Sequence, residues 1–168
     1  ASASAAALGR IGTAPAAEAL AKYITIAPAT VRPFVTDACF VCGPANPIGL
    51  KLDFRLEGDA CLSEFTPQAL HQGYDGVTHG GILFSALDDV MANWLFLRGA
   101  RAYTAKGEIR YREPVPVGTP LRLEGRLKAA KGRFVTLEGR ALRAEDGAVV
   151  AETESVFHVV DPGQGGWP

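Results

Sequence analysis

The segment Gly80 to Leu97, GGILFSALDDVMANWLFL, constrains this chain more than any other. Its apolar residues fall on nearly every side of a helical projection, with Asp88, Asp89 and Asn93 as the polar exceptions. A helix that is apolar almost all round is a buried helix. Arg98 and Gly99 then supply a basic last turn and a glycine past the end, which are helix stop signals. The most strongly apolar part, Val90 to Leu97, is far shorter than the roughly 20 residues a membrane span requires. The helix must therefore be covered by protein.

Both flanks carry the period of two that marks half-buried strands. Before the helix, Leu50, Leu52, Phe54 and Leu56 alternate with Lys51, Asp53 and Arg55, and Gly58-Asp59 turns the chain into a second strand over Ala60 to Phe65. Residues 66–79 read as a loop. After the helix, strands are predicted over Thr104 to Arg112, from Leu121 to a turn at Lys131-Gly132, from Val135 to a turn at Asp146-Gly147, and over Val149 to Val160. Tight turns make antiparallel neighbours. One helix with about six antiparallel strands is an α+β layer fold, its sheet curled about the helix. One sheet cannot cover every side of such a helix, so a partner surface is expected as well.

With 168 residues the chain suits one domain. The expected division is an N-terminal extension over 1–37, a domain over 38–160 and a loose tail over 161–168. In the extension, residues 1–14 are expected to be disordered and 15–24 to form a short amphipathic helix. No basic leader followed by an apolar stretch marks a secretory signal, and the expected location is cytoplasmic. A net charge of −1, with basic and acidic residues interleaved, excludes a nucleic-acid surface. The three cysteines are too few for a disulfide framework. Cys39 and Cys42 form a CxxC, but no set of four zinc ligands is evident, so packed reduced thiols and no metal are expected.

The chemistry concentrates at the helix. Thr78-His79-Gly80-Gly81 runs directly into its first turn, where backbone N–H groups are unpaired and the macrodipole is positive. A substrate carbonyl against the Gly80 N–H would be polarised, which is oxyanion-hole logic; the glycines serve equally well for a tight entry into the helix. Asp88 lies among apolar neighbours, where a carboxylate is costly unless it is paired or has a task. It is a candidate nucleophile or general base, while Asp89 is expected to face solvent. Gly80 and Asp88 are separated by about 12 Å of helix rise, too far to converge on one carbonyl. An isologous dimer with antiparallel helices would bring Gly80 of one chain to Asp88 of the other.

Four blocks, CFVCGPANPIGLKLDF (Cys39 to Phe54), HQGYDGVTHGG (His71 to Gly81), HGGILFSALDD (His79 to Asp89) and IRYREPVPVG (Ile109 to Gly118), occur in the order found in PaaI-like hotdog-fold acyl-CoA thioesterases. The chain resembles that family over roughly residues 38–160. The resemblance implies a hotdog fold, hydrolysis of an acyl-CoA thioester, no cofactor beyond the coenzyme A of the substrate, and a homodimer or a tetramer of two dimers. It also implies roles: Gly80 N–H on the thioester carbonyl, His79 supporting that loop, Asp88 as nucleophile or base, and Thr104 holding the water or the carboxylate. Gln72 is the nearest match to a family amide that precedes the His-Gly-Gly, and the loop between them is longer than in some relatives. Gly81 joins it as a substrate-binding candidate. His71 is read either as lining the entrance or as a plain loop residue, and Trp94 either as shaping the acyl pocket or as core. Arg110, Arg112, Arg126, Lys128, Lys131 and Arg133 are candidates for the CoA phosphates. Two other functions fit the same fold, a non-catalytic acyl-CoA-binding protein and an enoyl-CoA hydratase. Neither an output module nor a second Asp-His catalytic pair is evident for them.

Overall fold

Helix α1 spans Gly80–Phe96 and lies across the inner face of one antiparallel sheet. The computed structural model describes residues 36–163. The expectations for residues 1–35, including the short helix over 15–24, and for 164–168 lie outside the described residues. The described residues form eight strands: β1 (Arg55–Glu57), β2 (Ala60–Phe65), β3 (Gln72–Tyr74), β4 (Val77–Thr78), β5 (Arg101–Tyr111), β6 (Leu121–Lys131), β7 (Phe134–Arg143) and β8 (Val149–Asp161). Six form one sheet in the order β1-β2-β6-β7-β8-β5; β3 and β4 form a small hairpin of their own. The sheet curls about α1 but does not close into a barrel, which leaves β1 and β5 as its edges.

The alternation seen in the sequence fills the inner face. Leu121 and Leu123 of β6, Val135, Leu137 and Ala141 of β7, and Ala151 and Phe157 of β8 are buried there against Leu83, Leu87, Val90 and Met91 of α1. Burying each of these large side chains contributes about 1.5–3 kcal/mol. The helix sits close because Gly125 and Gly139 are cross-strand partners beneath it. A Cβ on Gly125 would come within 2.9 Å of the Val90 carbonyl oxygen. At the helix C-terminus the Trp94 indole N–H donates to the Asp59 carbonyl at 2.6 Å, while the Arg98 guanidinium stacks 3.8 Å from the Trp94 ring and donates to the Gly58 carbonyl. This ties α1 to the β1–β2 turn.

Two expected elements differ. The alternating run from Leu50 is not one strand: only Arg55–Glu57 joins the sheet. Lys51 has φ 58°, which breaks the extended backbone. The Leu50 and Leu52 N–H groups instead bond to Phe40 and Val41 carbonyls in the loop over 36–49. Residues 66–79, read as plain loop, contain a 3-10 turn (Ala69–His71) and the β3–β4 hairpin.

One side of α1 is left uncovered by the sheet, as expected. Gly81 is exposed, and Ser85, Asp88, Ala92 and Phe96 are only partly buried. The edge strand β5 is exposed from Tyr103 through Glu108.

Candidate active site

The N-terminus of α1 is built by backbone. His79 is the N-cap: its Nδ1 accepts the Gly81 N–H at 2.9 Å, so this nitrogen carries no proton and Gly81 is capped. The His79 N–H donates to the His71 carbonyl and the Thr78 N–H to the Val115 carbonyl, both at 2.8 Å, which clamps the entry loop between its neighbours. Among the described residues no acceptor takes the Gly80 N–H. Gly80 packs beneath Tyr111, whose hydroxyl donates to the Gly80 carbonyl at 2.8 Å. A Cβ on Gly80 would lie 2.9 Å from that phenol, so glycine is needed here for close approach. A cleft of about 430 Å³ opens over this point, lined by Tyr74, His79, Gly80, Leu83, Tyr111 and Val115.

Asp88 does not line that cleft. It sits on the uncovered side of α1, where the Thr104 hydroxyl reaches both carboxylate oxygens, at 3.0 and 3.1 Å. Burial raises the Asp88 pKa above the usual carboxylate range, and the Thr104 hydrogen bond opposes that rise. Thr104 reaches Asp88 because of a β-bulge. Gly107, Ile109 and Tyr111 pair with Ser155, Thr153 and Ala151 on the inner face of the sheet. The register slips by one residue between Thr104 and Lys106, so Thr104 pairs with the fully buried Phe157 and also faces inward. Were Ala105 paired in register and not left out of the ladder, strict alternation would turn Thr104 outward.

The structure therefore gathers the expected residues into two groups: His79, Gly80 and Gly81 at the helix start, Asp88 and Thr104 near its middle. The remaining candidates have other contacts. The Gln72 Oε1 accepts the Gly76 N–H and supports the β3–β4 turn. His71 accepts the Gln68 N–H at its Nδ1 and packs its ring 5.6 Å from Phe65, so it braces the entry loop. Trp94 is core, 4% exposed. Of the basic candidates, Arg112 pairs with Glu152, Arg126 with Asp59, and Lys128 with Glu138 and Glu154. Two features were not expected. Tyr111 holds the Gly80 carbonyl, and no local pattern in the sequence marks it. Asp89 does not simply face solvent: it is partly buried, and its carboxylate lies within 4.8 Å of the sulfurs of Cys39 and Cys42. Burial, then Asp89 and Cys39, pushes the Cys42 thiol well above its ordinary range. It is therefore no nucleophile at neutral pH.

Among the described residues, one buried helix in a curled antiparallel sheet defines the hotdog class. The Thioesterase superfamily model matches residues 75–150. A solved thioesterase superfamily protein is 27% identical, with TM-score 0.68 over 90% of this chain and 78% of its own. The PaaI protein of E. coli, from the phenylacetic acid degradation operon, is 18% identical, with TM-score 0.62 over 68% and 83% of the two chains. A hypothetical thioesterase of Streptococcus pneumoniae, solved with coenzyme A, is 15% identical, with TM-score 0.61 over 66% and 89%. That protein was also solved with an aspartate and, separately, a threonine replaced by alanine; the two positions are 16 residues apart, the separation of Asp88 and Thr104. No curated protein matches the chain. Over residues 75–150 the chain is similar to the thioesterase superfamily, and its fold is that of hotdog thioesterases, which supports a thioester hydrolase.

Proposed function

We propose that the protein hydrolyses an acyl-CoA thioester to the free acid and coenzyme A, in a site shared by two subunits. The observation that carries this reading is Asp88: a partly buried carboxylate with a raised pKa, held by Thr104 on the one side of α1 that the sheet leaves open. The Gly80 N–H of the other subunit polarises the thioester carbonyl. Asp88 then acts in one of two ways. As general base it takes a proton from water, whose oxygen attacks the carbonyl carbon; the C–S bond breaks, and the CoA sulfur leaves and is protonated. As nucleophile it forms an anhydride that water opens. The matching aspartate–threonine separation in the Streptococcus pneumoniae protein, and its coenzyme A, support the reading.

The edge strand β5 supports the shared site. It is an exposed edge of 11 residues, with unpaired backbone groups along one side. If two copies pair antiparallel about a two-fold axis near Gly107–Glu108, Thr104 lies opposite Tyr111 of the partner subunit, about 5 Å away across the ladder. Thr104 carries Asp88 and Tyr111 carries Gly80, so this register brings the two halves of the chemistry together twice per dimer. Pairing of two such dimers gives the expected tetramer.

The test is a steady-state screen of aromatic, medium-chain and long-chain acyl-CoA and acyl-carrier substrates with detection of the free thiol. Turnover of an acyl-CoA that disappears in Asp88→Asn is the expected result. Absence of turnover across the set, with acyl-CoA still bound, would transfer the protein to the non-catalytic binding class. Single turnover in ¹⁸O-water tests the nucleophilic role of Asp88: label in its carboxylate means that it forms the anhydride and that water opens it at the Asp88 carbonyl.

A further inference from the structure

The geometry points to a transition-metal site formed by Cys39, Cys42 and Asp89, occupied by Zn²⁺ or a cation of similar softness. The ligand atoms of these three residues lie within 4.8 Å of one another. They come from two separate elements, the loop over 36–49 and helix α1. In a tetrahedral zinc centre, bonds of about 2.3 Å to sulfur and 2.0–2.2 Å to oxygen place the ligand atoms roughly 3.5–3.8 Å apart. A small inward movement of the side chains would therefore close the set. Two thiolates with one carboxylate suit zinc rather than magnesium or calcium, which take oxygen ligands. The expectation of no metal rested on the few cysteines and histidines in the whole chain, and Asp89, brought in by the fold, joins the two cysteines as a third ligand.

The loop is shaped to present both sulfurs. It closes a tight turn in which the Gly43 N–H donates to the Cys39 carbonyl at 3.0 Å. A Cβ on Gly43 would lie 2.4 Å from the Cys39 nitrogen and 2.6 Å from its carbonyl oxygen, so only glycine fits behind the second cysteine. Neither cysteine is in a disulfide. On the α1 side the Asn93 amide donates to Asp89 Oδ2 at 3.3 Å and to the Asp89 carbonyl at 2.9 Å, and such an outer contact orients a ligating carboxylate. The three residues line a cavity of about 340 Å³ together with Thr36, Phe96 and Tyr103, which leaves room for water at a fourth position. The ion would fasten the loop to the helix one residue from Asp88. The inference does not depend on the thioesterase reading, since it concerns ligands on other residues.

The test uses the full chain, purified without chelators and without a polyhistidine tag. Elemental analysis should find about one equivalent of zinc. Co²⁺ added to metal-depleted protein should give a thiolate-to-cobalt charge-transfer band that saturates at one ion per chain and is displaced by Zn²⁺. Cys39→Ser and Asp89→Asn, checked for folding by circular dichroism, should each weaken binding by at least about 10-fold, and Cys61→Ala, which alters the one remaining thiol, should leave it unchanged. Zinc at about 100 times its Kd should raise Tm by roughly 5–10 °C. Absence of a thiolate band in the native chain at micromolar Co²⁺ would overturn the site. So would a band that survives in both Cys39→Ser and Cys42→Ser.

Discussion

The two ends of the proposed chemistry are made from different materials. At the start of α1 the working group is a backbone N–H, and the side chains of His79 and Tyr111 serve to fix it. Eight residues on, the working group is the Asp88 side chain, partly buried and steadied by one hydroxyl. The backbone end is already at its final charge and needs only geometry. The side-chain end must carry a negative charge in a site that opposes it, so it is sensitive to pH and costs stability. Substitutions that remove a group from the second end should thus have larger and more pH-dependent effects than those that loosen the first.

The largest expected effect is at Asp88. Asp88→Asn keeps the shape and removes the base, and kcat should fall by at least ~100-fold. The same variant should be more stable at neutral pH. A pKa raised on folding means the native state binds protons more tightly than the unfolded chain, so the carboxylate's contribution to stability is lost as pH rises through the folded value. A gain of roughly 2–4 °C in Tm corresponds to about 1 kcal/mol in a domain of this size. Loss of activity together with loss of stability would contradict this account of Asp88.

The comparison sharpens when the ends are placed on different chains. Gly80→Pro removes the N–H donor. Unfolded and remixed in equal amounts with Asp88→Asn, it should give mixed dimers in which one site carries both lesions and the other neither. About half of the dimers should be mixed, and about a quarter of the wild-type activity should return. A remixed sample that stays inactive, while mass spectrometry shows mixed dimers, would mean that both ends act within one chain.

Smaller effects should separate the two supports. Thr104→Val removes the hydrogen bond that lowers the Asp88 pKa, so the acidic limb of the kcat/KM profile should move to higher pH, with a several-fold loss at pH 7. Tyr111→Phe removes only the bond to the Gly80 carbonyl. A loss of about 2–10-fold in kcat with an unmoved pH profile is expected, in line with one neutral hydrogen bond. If the two variants show the same pH behaviour, the division between the ends fails.

Much of this was legible before any coordinates. The helix was bounded to within a residue, because all-round apolarity and the Arg98-Gly99 stop are local signals. The turns at Gly58, Gly132 and Gly147 were legible for the same reason, and all three have positive φ. The run from Leu50 misled because alternation reports which side a residue faces and not which backbone it bonds to. The Asp75-Gly76 turn carried a hairpin signal that the reading as loop passed over. At the site, Gly80 and Asp88 stood out from position alone, whereas Thr104 came from family resemblance. The meeting of Asp89 with Cys39 and Cys42 joins residues 47 and more positions apart, and Tyr111 touches Gly80 from 31 positions away. No periodicity carries such pairings; only the folded sheet does.

The extra residue at Ala105 has a consequence for how such a chain can change. It works as a frame shift within a strand: on one side of it even-numbered residues face inward, and on the other odd-numbered ones do. The half of β5 that packs against Gly80 and the half that serves Asp88 are therefore separately addressable by mutation. A strand that paired Ala105 in register would set Ala105 in place of Thr104 at the carboxylate and leave Gly107, Ile109 and Tyr111 in phase, whereas loss of the Ala105 codon would straighten the strand and keep Thr104 opposite Phe157. The acid's partner is therefore set by which residue the ladder leaves unpaired, and not by the kinds of residue alone.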